Sequence, residues 1–418
     1  MRLIIHNIKE LFGILDPEVR LLRGKEMGQV ESIKNAYLFV KDGLIAGFGK
    51  EGDAGYHLVL QQEPELQFVD AAGGLVLPAF CDAHTHLVYA ASRELEYVDK
   101  INGLSYEEIA KRGGGILNSA KAMANASEEE LFVSAWHRLQ EIASMGTAAV
   151  EIKSGYGLTT EAELKMLRVI RRLKENSPLL IKANFLGAHA VPPDYRGRQH
   201  EYVDLIINEM IPLVAAENLA DFIDVFCDQG FFTVEDTDRI LNAGMKYGLR
   251  AKIHANELAR SGGIQVGVKY NAVSVDHLEF TEEEEMELLS QSETMPLILP
   301  GAAFFLHMPY APARQMIRYG LPVAMASDFN PGSSPSGNMQ LILSMASILY
   351  RLTPEEGFNA TTINGAYAMD VSHETGSISI GKRADFFITQ PIPGLAYMPY
   401  YYGSNKVSKM FVKGIELP

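Results

Sequence analysis

Between residues 76 and 329 the sequence repeats one pattern, a short apolar run followed by a segment with the apolar spacing of a helix. Each run is mostly apolar, which is typical of a parallel strand that is buried on both faces. The eight runs lie near residues 76–86, 147–154, 181–189, 222–228, 251–256, 273–278, 296–301 and 323–329. Because parallel neighbours need a helical crossover between them, the pattern predicts an α/β protein with a (β/α)8, TIM-like barrel.

The segments between the runs carry helix-start signals. NASEEELFVSAWHRLQEIASMG has a capping box from Ser127 to Glu130 and ends in glycine. Thr160, with Glu163 three residues later, predicts the start of a second helix, and Thr233 predicts the start of a third. These signals support the alternation of strands and helices.

The two ends of the chain have a different pattern, with short β-rich runs separated by glycine. AYLFVKDGLIAGFG predicts a hairpin whose two-residue turn is Asp42-Gly43, since both turn positions need a positive φ. GSISIGKRADFFIT and KVSKMFVKGIEL predict further strands near the C-terminus. We therefore predict a small β-sandwich domain formed by residues 1–75 and 374–418, and a barrel of residues 76–373.

Composition limits the classes of function. The 418 residues are 47% hydrophobic and 21% charged, which fits a globular protein with a large core. A net charge of −15 argues against nucleic acid and anionic membranes as partners, although a local cationic pocket for a small anion is compatible with it. Two cysteines, and no apolar run of membrane-spanning length, indicate a reducing compartment and a cytoplasmic protein.

Polar residues concentrate where the predicted strands end, which is where barrels of this kind carry their working residues. A single histidine at such a place is usually structural, but five of the eleven histidines occur there, together with the aspartate at the end of the last strand. They are His84, His86, His189, His254, His277 and Asp328. Three imidazoles and a carboxylate form a donor set suited to zinc or iron, and we assign His84, His86, His254 and Asp328 as ligands of one ion.

The same positions resemble the amidohydrolase superfamily of metal-dependent hydrolases, with H-x-H on strand one, single histidines on strands five and six, and aspartate on strand eight. GSISIGKRADF resembles the segment with which those enzymes return to their small β-domain. The strings HTHLVYAASRE, EIKSGYGL, FLGAHAVP, IHANE and SDFNPGSSP are similar to those of the members that hydrolyse the cyclic amide of 4-imidazolone-5-propanoate to N-formimino-L-glutamate in L-histidine degradation. The resemblance covers essentially the whole chain and implies that reaction, by a metal-activated water, and a homodimer.

The resemblance also implies roles for three catalytic residues. Asp328 would accept a proton from the water as well as bind the metal. His277 would hold the water or polarise the carbonyl oxygen, and its alternative is a buried structural histidine. Glu257, three residues after His254, would carry a proton to the ring nitrogen, and its alternative is to cap the next helix.

An anionic substrate needs a cation in the site. Arg93 is the candidate, because its planar guanidinium can bind a carboxylate through two hydrogen bonds; the alternative is a surface salt bridge with Glu94 or Glu96. Further residues are predicted to contact the ring or the carboxylate of the substrate or, in the case of the last three, the formimino-glutamate end of the product. They are Tyr106, Tyr156, His189, Glu257, Asn330, Gly332 and Ser333.

Two alternatives to this function stay open. The same ligand pattern serves heterocycle deaminases of the cytosine and guanine type, and some barrels of this kind have only a structural or binding role. Arg93 favours the hydrolase, because a deaminase of a neutral base does not need to bind a carboxylate. Strand four ends in Cys227 and Asp228 without a lysine that could become a bridging carbamate, so one Zn2+ or Fe3+ per chain is expected.

Overall fold

The computed structural model describes residues 1–63, 65–104 and 114–418. The strands, numbered in chain order, are β1 (Arg2–Ile14), β2 (Glu31–Lys41), β3 (Leu44–Lys50), β4 (Gln67–Asp70), β5 (Leu75–Pro78), β6 (Phe80–Thr85), β7 (Thr147–Lys153), β8 (Leu180–Ala188), β9 (Phe222–Cys227), β10 (Arg250–Ala255), β11 (Ser274–His277), β12 (Met295–Ile298), β13 (Ala324–Met325), β14 (Phe386–Thr389), β15 (Val407–Val412) and β16 (Ile415–Glu416).

The α-helices, also numbered in chain order, are α1 (Ala54–Gln62), α2 (Glu94–Ile101), α3 (Ile116–Asn125), α4 (Glu128–Ser144), α5 (Thr160–Asn176), α6 (Gln199–Leu205), α7 (Ile211–Ala216), α8 (Val234–Met245), α9 (Gly263–Lys269), α10 (Glu283–Ser290), α11 (Pro300–Leu306), α12 (Ala313–Arg318), α13 (Met339–Ile348), α14 (Pro354–Thr361), α15 (Ile363–Ala368) and α16 (Tyr397–Tyr400). Within the described ranges, no helix combines the length and the apolar character needed to cross a membrane.

Strands β6 to β13 form a parallel sheet in which each strand pairs with the next one along the chain. Backbone hydrogen bonds then join the last strand to the first. The N–H of Asp328 donates to the carbonyl of His84 at 3.0 Å, and the N–H of His86 donates to the carbonyl of Phe329 at 2.9 Å. The sheet therefore closes into the predicted barrel, and this closure brings Asp328 beside His84 and His86.

The first predicted run, residues 76–86, is wrong as a single strand. It contains the end of β5, which pairs with β1 and β14, and then β6, which belongs to the barrel. Pro78 ends β5 because it has no N–H to continue the ladder. The next two amides already bond to different partners, Ala79 to the carbonyl of Asp385 and Phe80 to that of Gly146.

Strands from both chain ends form the second sheet, in the order β16-β15-β14-β5-β1-β2-β3, with β4 also paired to β1. The β2–β3 hairpin turns at Asp42-Gly43, where φ is 53° and 82°. A small β-domain built from both ends is therefore confirmed. Its limits, residues 1–75 with 374–418, stay a prediction.

The helix starts agree with the sequence except in one case. Ser127 and Thr233 are N-caps with complete capping boxes, as predicted. The prediction of Thr160 as a cap is wrong, because the cap of that helix is Thr159, whose hydroxyl accepts a first-turn N–H at 3.3 Å. Glu163 therefore takes no part in the cap. Its carboxylate faces the loop of residues 155–158 instead.

Candidate active site

The four predicted metal ligands converge at the carboxyl ends of the barrel strands. One ligand nitrogen from each of His84, His86 and His254 lies within 4.8 Å of the others, and all three side chains are buried. Asp328 Oδ1 is 3.5 Å from His84 Nε2 and 3.7 Å from His86 Nε2. Three imidazoles and one carboxylate thus face a common centre.

The outer nitrogens of two of these histidines are bound to buried aspartates. His84 Nδ1 donates to Asp276 Oδ2 at 2.7 Å, and His254 Nδ1 donates to Asp224 Oδ1 at 3.1 Å. A carboxylate that accepts the Nδ1 hydrogen leaves the Nε2 lone pair free. Among the described residues, Nε2 of His84 and of His254 has no hydrogen-bond partner.

The protonation of the cluster also fits a metal ion. Burial holds the pKa of His84 and of His86 well below the usual range, so both imidazoles are neutral, as ligation requires. His86 stacks on His189 with ring centroids 5.1 Å apart. Unpartnered, buried and neutral imidazoles beside a carboxylate are a donor set for zinc or iron.

His277 lies beside this cluster in a pair of carboxylates. Its Nε2 is 3.5 Å from Glu257 Oε2, and its Nδ1 is 3.8 Å from Glu279 Oε2. Burial lowers the pKa of His277, but Glu257, Glu279 and Asp328 outweigh that effect and raise the pKa to about 10. Burial raises the pKa of Glu257 to about 7, although His277 acts in the opposite direction. His277 is therefore charged at neutral pH, whereas the pKa of Glu257 lies near neutral pH.

The side chain of Glu257 lines the cavity and does not cap the next helix, which begins at Gly263. Its loop is held by Asp228, whose carboxylate accepts the N–H groups of Glu257 at 2.7 Å and Leu258 at 3.0 Å. The position of Glu257 thus depends on an aspartate at the end of strand β9.

Arg93 is both a cavity residue and an ion-pair partner. Its Nη2 is 2.7 Å from Glu96 Oε2, so the predicted alternative contact with Glu96 is present. The guanidinium is nevertheless on the cavity wall and lies against Gly332, where an added Cβ would be 2.1 Å from Arg93 Nη1. Only glycine leaves room for the guanidinium here.

One cavity of about 620 Å³ brings most of the predicted site together. Predicted residues on its wall are His86, Arg93, Tyr156, His189, His254, Glu257, His277, Asp328, Asn330, Gly332 and Ser333. His84 is buried among the ligands behind this wall. Tyr106 lies outside the described residues.

Asn330 uses its side chain within its own loop. Its Oδ1 accepts the N–H groups of Gly332 and Ser333 at 2.8 Å, and its Nδ2 donates to the carbonyl of Asp328 at 2.7 Å. The amide therefore shapes the turn that follows β13 and ties that turn to Asp328.

Glu163 holds the loop that carries Tyr156. Its buried carboxylate accepts the N–H groups of Gly155, Gly157 and Leu158 at 3.0, 2.7 and 2.9 Å. Tyr156 packs on the rings of His86 and His189, 5.5 and 5.4 Å away. The conformation of this loop, beside the predicted metal ligands, is thus set from helix α5.

Several residues of the site were not predicted from the sequence to belong to it. They are Glu163, Asp224, Asp276 and Glu279. Asp224 and Asp276 could have been found as carboxylates inside otherwise apolar strand runs, and Glu279 by its place two residues after His277. The backbone there is unusual, since His277 and Leu278 have φ of 84° and 72°.

A closed (β/α)8 barrel with a histidine cluster at the carboxyl ends of its strands is the arrangement expected of a metal-dependent hydrolase. The family model described as "Amidohydrolase family" matches residues 75–416. An imidazolonepropionase from Christiangramia forsetii is 50% identical over 417 residues, 99% of each chain, and one from Flavobacterium johnsoniae is 51% identical over 414 residues, 98% of each. The chain therefore belongs to the amidohydrolase family and, within it, to the imidazolonepropionase family.

A solved structure agrees with the fold. Guanine deaminase from E. coli superimposes with a TM-score of 0.76 at 14% identity, covering 100% of this chain and 99% of that one. At this identity the likeness supports the barrel and the small β-domain only.

The first prediction concerns the loop of Tyr156. E163Q replaces a carboxylate that accepts three N–H groups by an amide with one acceptor oxygen, so we expect the free energy of unfolding to fall by about 1–3 kcal/mol. Amide hydrogen exchange at Gly155, Gly157 and Leu158 should become faster. E161Q, on the exposed face of the same helix, is the control and should change neither quantity. Unchanged exchange in E163Q would show that the loop does not depend on Glu163.

Proposed function

We propose that this protein hydrolyses the cyclic amide of 4-imidazolone-5-propanoate to N-formimino-L-glutamate in L-histidine degradation. The observation that carries the proposal is one cavity that contains both the histidine cluster and a guanidinium suited to a carboxylate. The identity of about half the residues with relatives named imidazolonepropionase supports the same reaction.

The proposed metal centre is one Zn2+ or Fe3+ held by His84, His86, His254 and Asp328. When bound, such an ion lowers the pKa of a water molecule and polarises the substrate carbonyl. The fourth strand of the barrel, β9, supports a single ion, because it ends in Cys227 and Asp228 and not in a lysine that could bridge two metals. The Asp228 carboxylate is already bonded to backbone N–H groups.

Three residues are proposed to move or hold protons. Asp328, whose pKa burial raises above the usual range, accepts a proton from the attacking water. Charged His277 donates its Nε2 hydrogen to the carbonyl oxygen, because the carboxylates around it keep that proton in place. Glu257, whose pKa burial raises to about 7, delivers a proton to the departing ring nitrogen.

The substrate is proposed to bind with its propionate on Arg93 and its ring between the metal centre and Tyr156. The side chain of Arg93 is only 10% exposed, and Glu96 orients its guanidinium, which lies on the cavity wall and can bind a carboxylate. His189, Ser333 and Tyr106 are proposed as further contacts. The ring carbonyl then faces His277.

We also propose a cellular location, the kinds of partner and an oligomeric state. Cys81 and Cys227 are both free and buried, which favours a cytoplasmic location, as do the metabolic relatives. The acidic net charge of −15 disfavours nucleic acid as a partner. The family resemblance favours a homodimer.

The function is tested by following imidazolonepropanoate consumption in the ultraviolet with purified protein whose metal content is measured on the same sample. Turnover with formation of N-formimino-L-glutamate is expected. Release of ammonia from guanine or cytosine, without turnover of imidazolonepropanoate, would instead favour the deaminase alternative.

The second prediction concerns the role of Glu257 in proton transfer. E257Q keeps the size of the side chain but cannot exchange a proton, so kcat should fall by at least about 100-fold. The metal content should equal that of the unsubstituted protein, because Glu257 is not among the proposed ligands. E284Q, at an exposed glutamate, is the control. Unchanged kcat in E257Q would remove the residue from the reaction.

The third prediction concerns the anion site. R93A should raise KM by about 10- to 100-fold, since a hydrogen bond between charged groups contributes about 1.5–3 kcal/mol. The loss of kcat should be smaller than the rise in KM. R198A, which removes an exposed arginine, should leave both constants unchanged. A normal KM in R93A would rule out the proposed carboxylate contact.

A further inference from the structure

Five charged side chains are buried inside the barrel, beneath the proposed metal centre. They are Glu151, Lys153, Asp224, Lys252 and Asp276. Burying a charge is unfavourable unless it is paired and hydrogen-bonded, so a cluster of this size calls for a functional reason. Two ammonium groups face three carboxylates here, which leaves one negative charge in excess next to the site of a cation.

Lys153 is at the centre of this cluster. Its Nζ is 2.6 Å from Glu151 Oε1, 2.8 Å from Asp224 Oδ2 and 3.4 Å from Asp276 Oδ2. An ammonium group has three hydrogens, and here each one has a carboxylate acceptor. Burial lowers the pKa of Lys153, but the three carboxylates outweigh that effect and raise it above the usual range.

Two of these carboxylates also hold metal ligands. Asp276 accepts the Nδ1 hydrogen of His84, and Asp224 accepts that of His254. His84 lies on β6 and His254 on β10, on opposite sides of an eight-stranded barrel. Lys153, on β7, therefore connects two histidine–aspartate pairs across the barrel interior.

We propose that Lys153 is a positioning residue for the metal centre, whose single ammonium group fixes two aspartates and, through them, the imidazoles of His84 and His254. The proposal rests on the ligand set of the proposed function. It assigns the lysine a place behind the ligands, with no contact to the substrate or to the ion.

The physical reason is the repulsion between Asp224 and Asp276. Both direct an Oδ2 atom at the same ammonium group, which offsets their like charges. Without it, each carboxylate would turn to a remaining donor, Asn184 for Asp224 and Ser274 for Asp276. The imidazoles would then lose the acceptors that orient their Nε2 atoms. Loss of such a partner behind the ligands typically weakens metal binding by about 10- to 100-fold.

Lys252 provides a matched control from the same cluster. It is equally buried and contacts Glu151, and its Nζ donates to the carbonyls of Ala83 at 3.0 Å and Ala368 at 3.2 Å. Its Nζ is 4.0 Å from Asp276 Oδ2, which is beyond hydrogen-bond distance. Removing Lys252 therefore deletes a buried charge without freeing the two aspartates that hold the histidines.

The test compares K153M and K252M by the Zn2+ affinity of the metal-stripped full-length protein, measured by competition with a chelator. Both variants should unfold at lower temperature, because each leaves a buried carboxylate short of a partner. Only K153M should bind Zn2+ about 10- to 100-fold more weakly than the unsubstituted protein. If K153M does not fold, K153Q, which keeps an N–H donor but loses the charge, takes its place.

Equal affinity in K153M and the unsubstituted protein, or an equal loss in both lysine variants, would overturn the proposal and leave Lys153 a purely structural role. If the unsubstituted protein binds no Zn2+, the proposed ligand set is wrong. That outcome is distinct from one in which only the proposed role of Lys153 is wrong, because the unsubstituted protein then binds the ion normally.

Discussion

The hydrogen bonds from His84 and His254 to Asp276 and Asp224 decide what the rest of the site can do. An imidazole has two nitrogens. When the N–H of one is bonded to a buried carboxylate, the lone pair of the other is available to a metal and has a fixed direction. The barrel supplies both partners of each pair from different strands, and its closure adds Asp328. The convergence of the ligands is thus a consequence of strand register and not of any single loop.

Around this centre, burial and neighbouring charges shift the pKa values of His277 and Glu257. The carboxylates of Glu257, Glu279 and Asp328 keep His277 charged, whereas burial brings the pKa of Glu257 to about 7. A charged donor and a group that can exchange a proton at neutral pH are what amide hydrolysis needs beside an activated water. We propose that Arg93 adds the positive charge that an acidic protein must offer to an anionic substrate.

The sequence allows much of the fold to be predicted, because the eight apolar runs and the helix caps are local signals. His84 and His86 could be placed together for the same reason, since residues i and i+2 lie on one side of a strand. Interactions between distant strands have no local signal. The proposed bridging role of Lys153 depends on the registers of β7, β9 and β11. Glu163 looks like a capping partner in the sequence, and only the fold shows that its helix begins one residue earlier.

The first run was misassigned for a related reason. Residues 76–81 are all apolar, and hydrophobicity alone does not tell which of two sheets a strand joins. Only the pairing of Leu75–Pro78 with strands from both chain ends separates it from the barrel.

The ligand set itself is tested most directly by X-ray absorption at the zinc edge of the Zn2+-loaded protein, combined with metal analysis. We expect one ion per chain, with nitrogen and oxygen neighbours at about 2.0–2.2 Å. H254A should remove a nitrogen from that shell. Sulfur at about 2.3 Å would contradict the account, as would a second metal at about 3.5–4 Å or an unchanged shell in H254A.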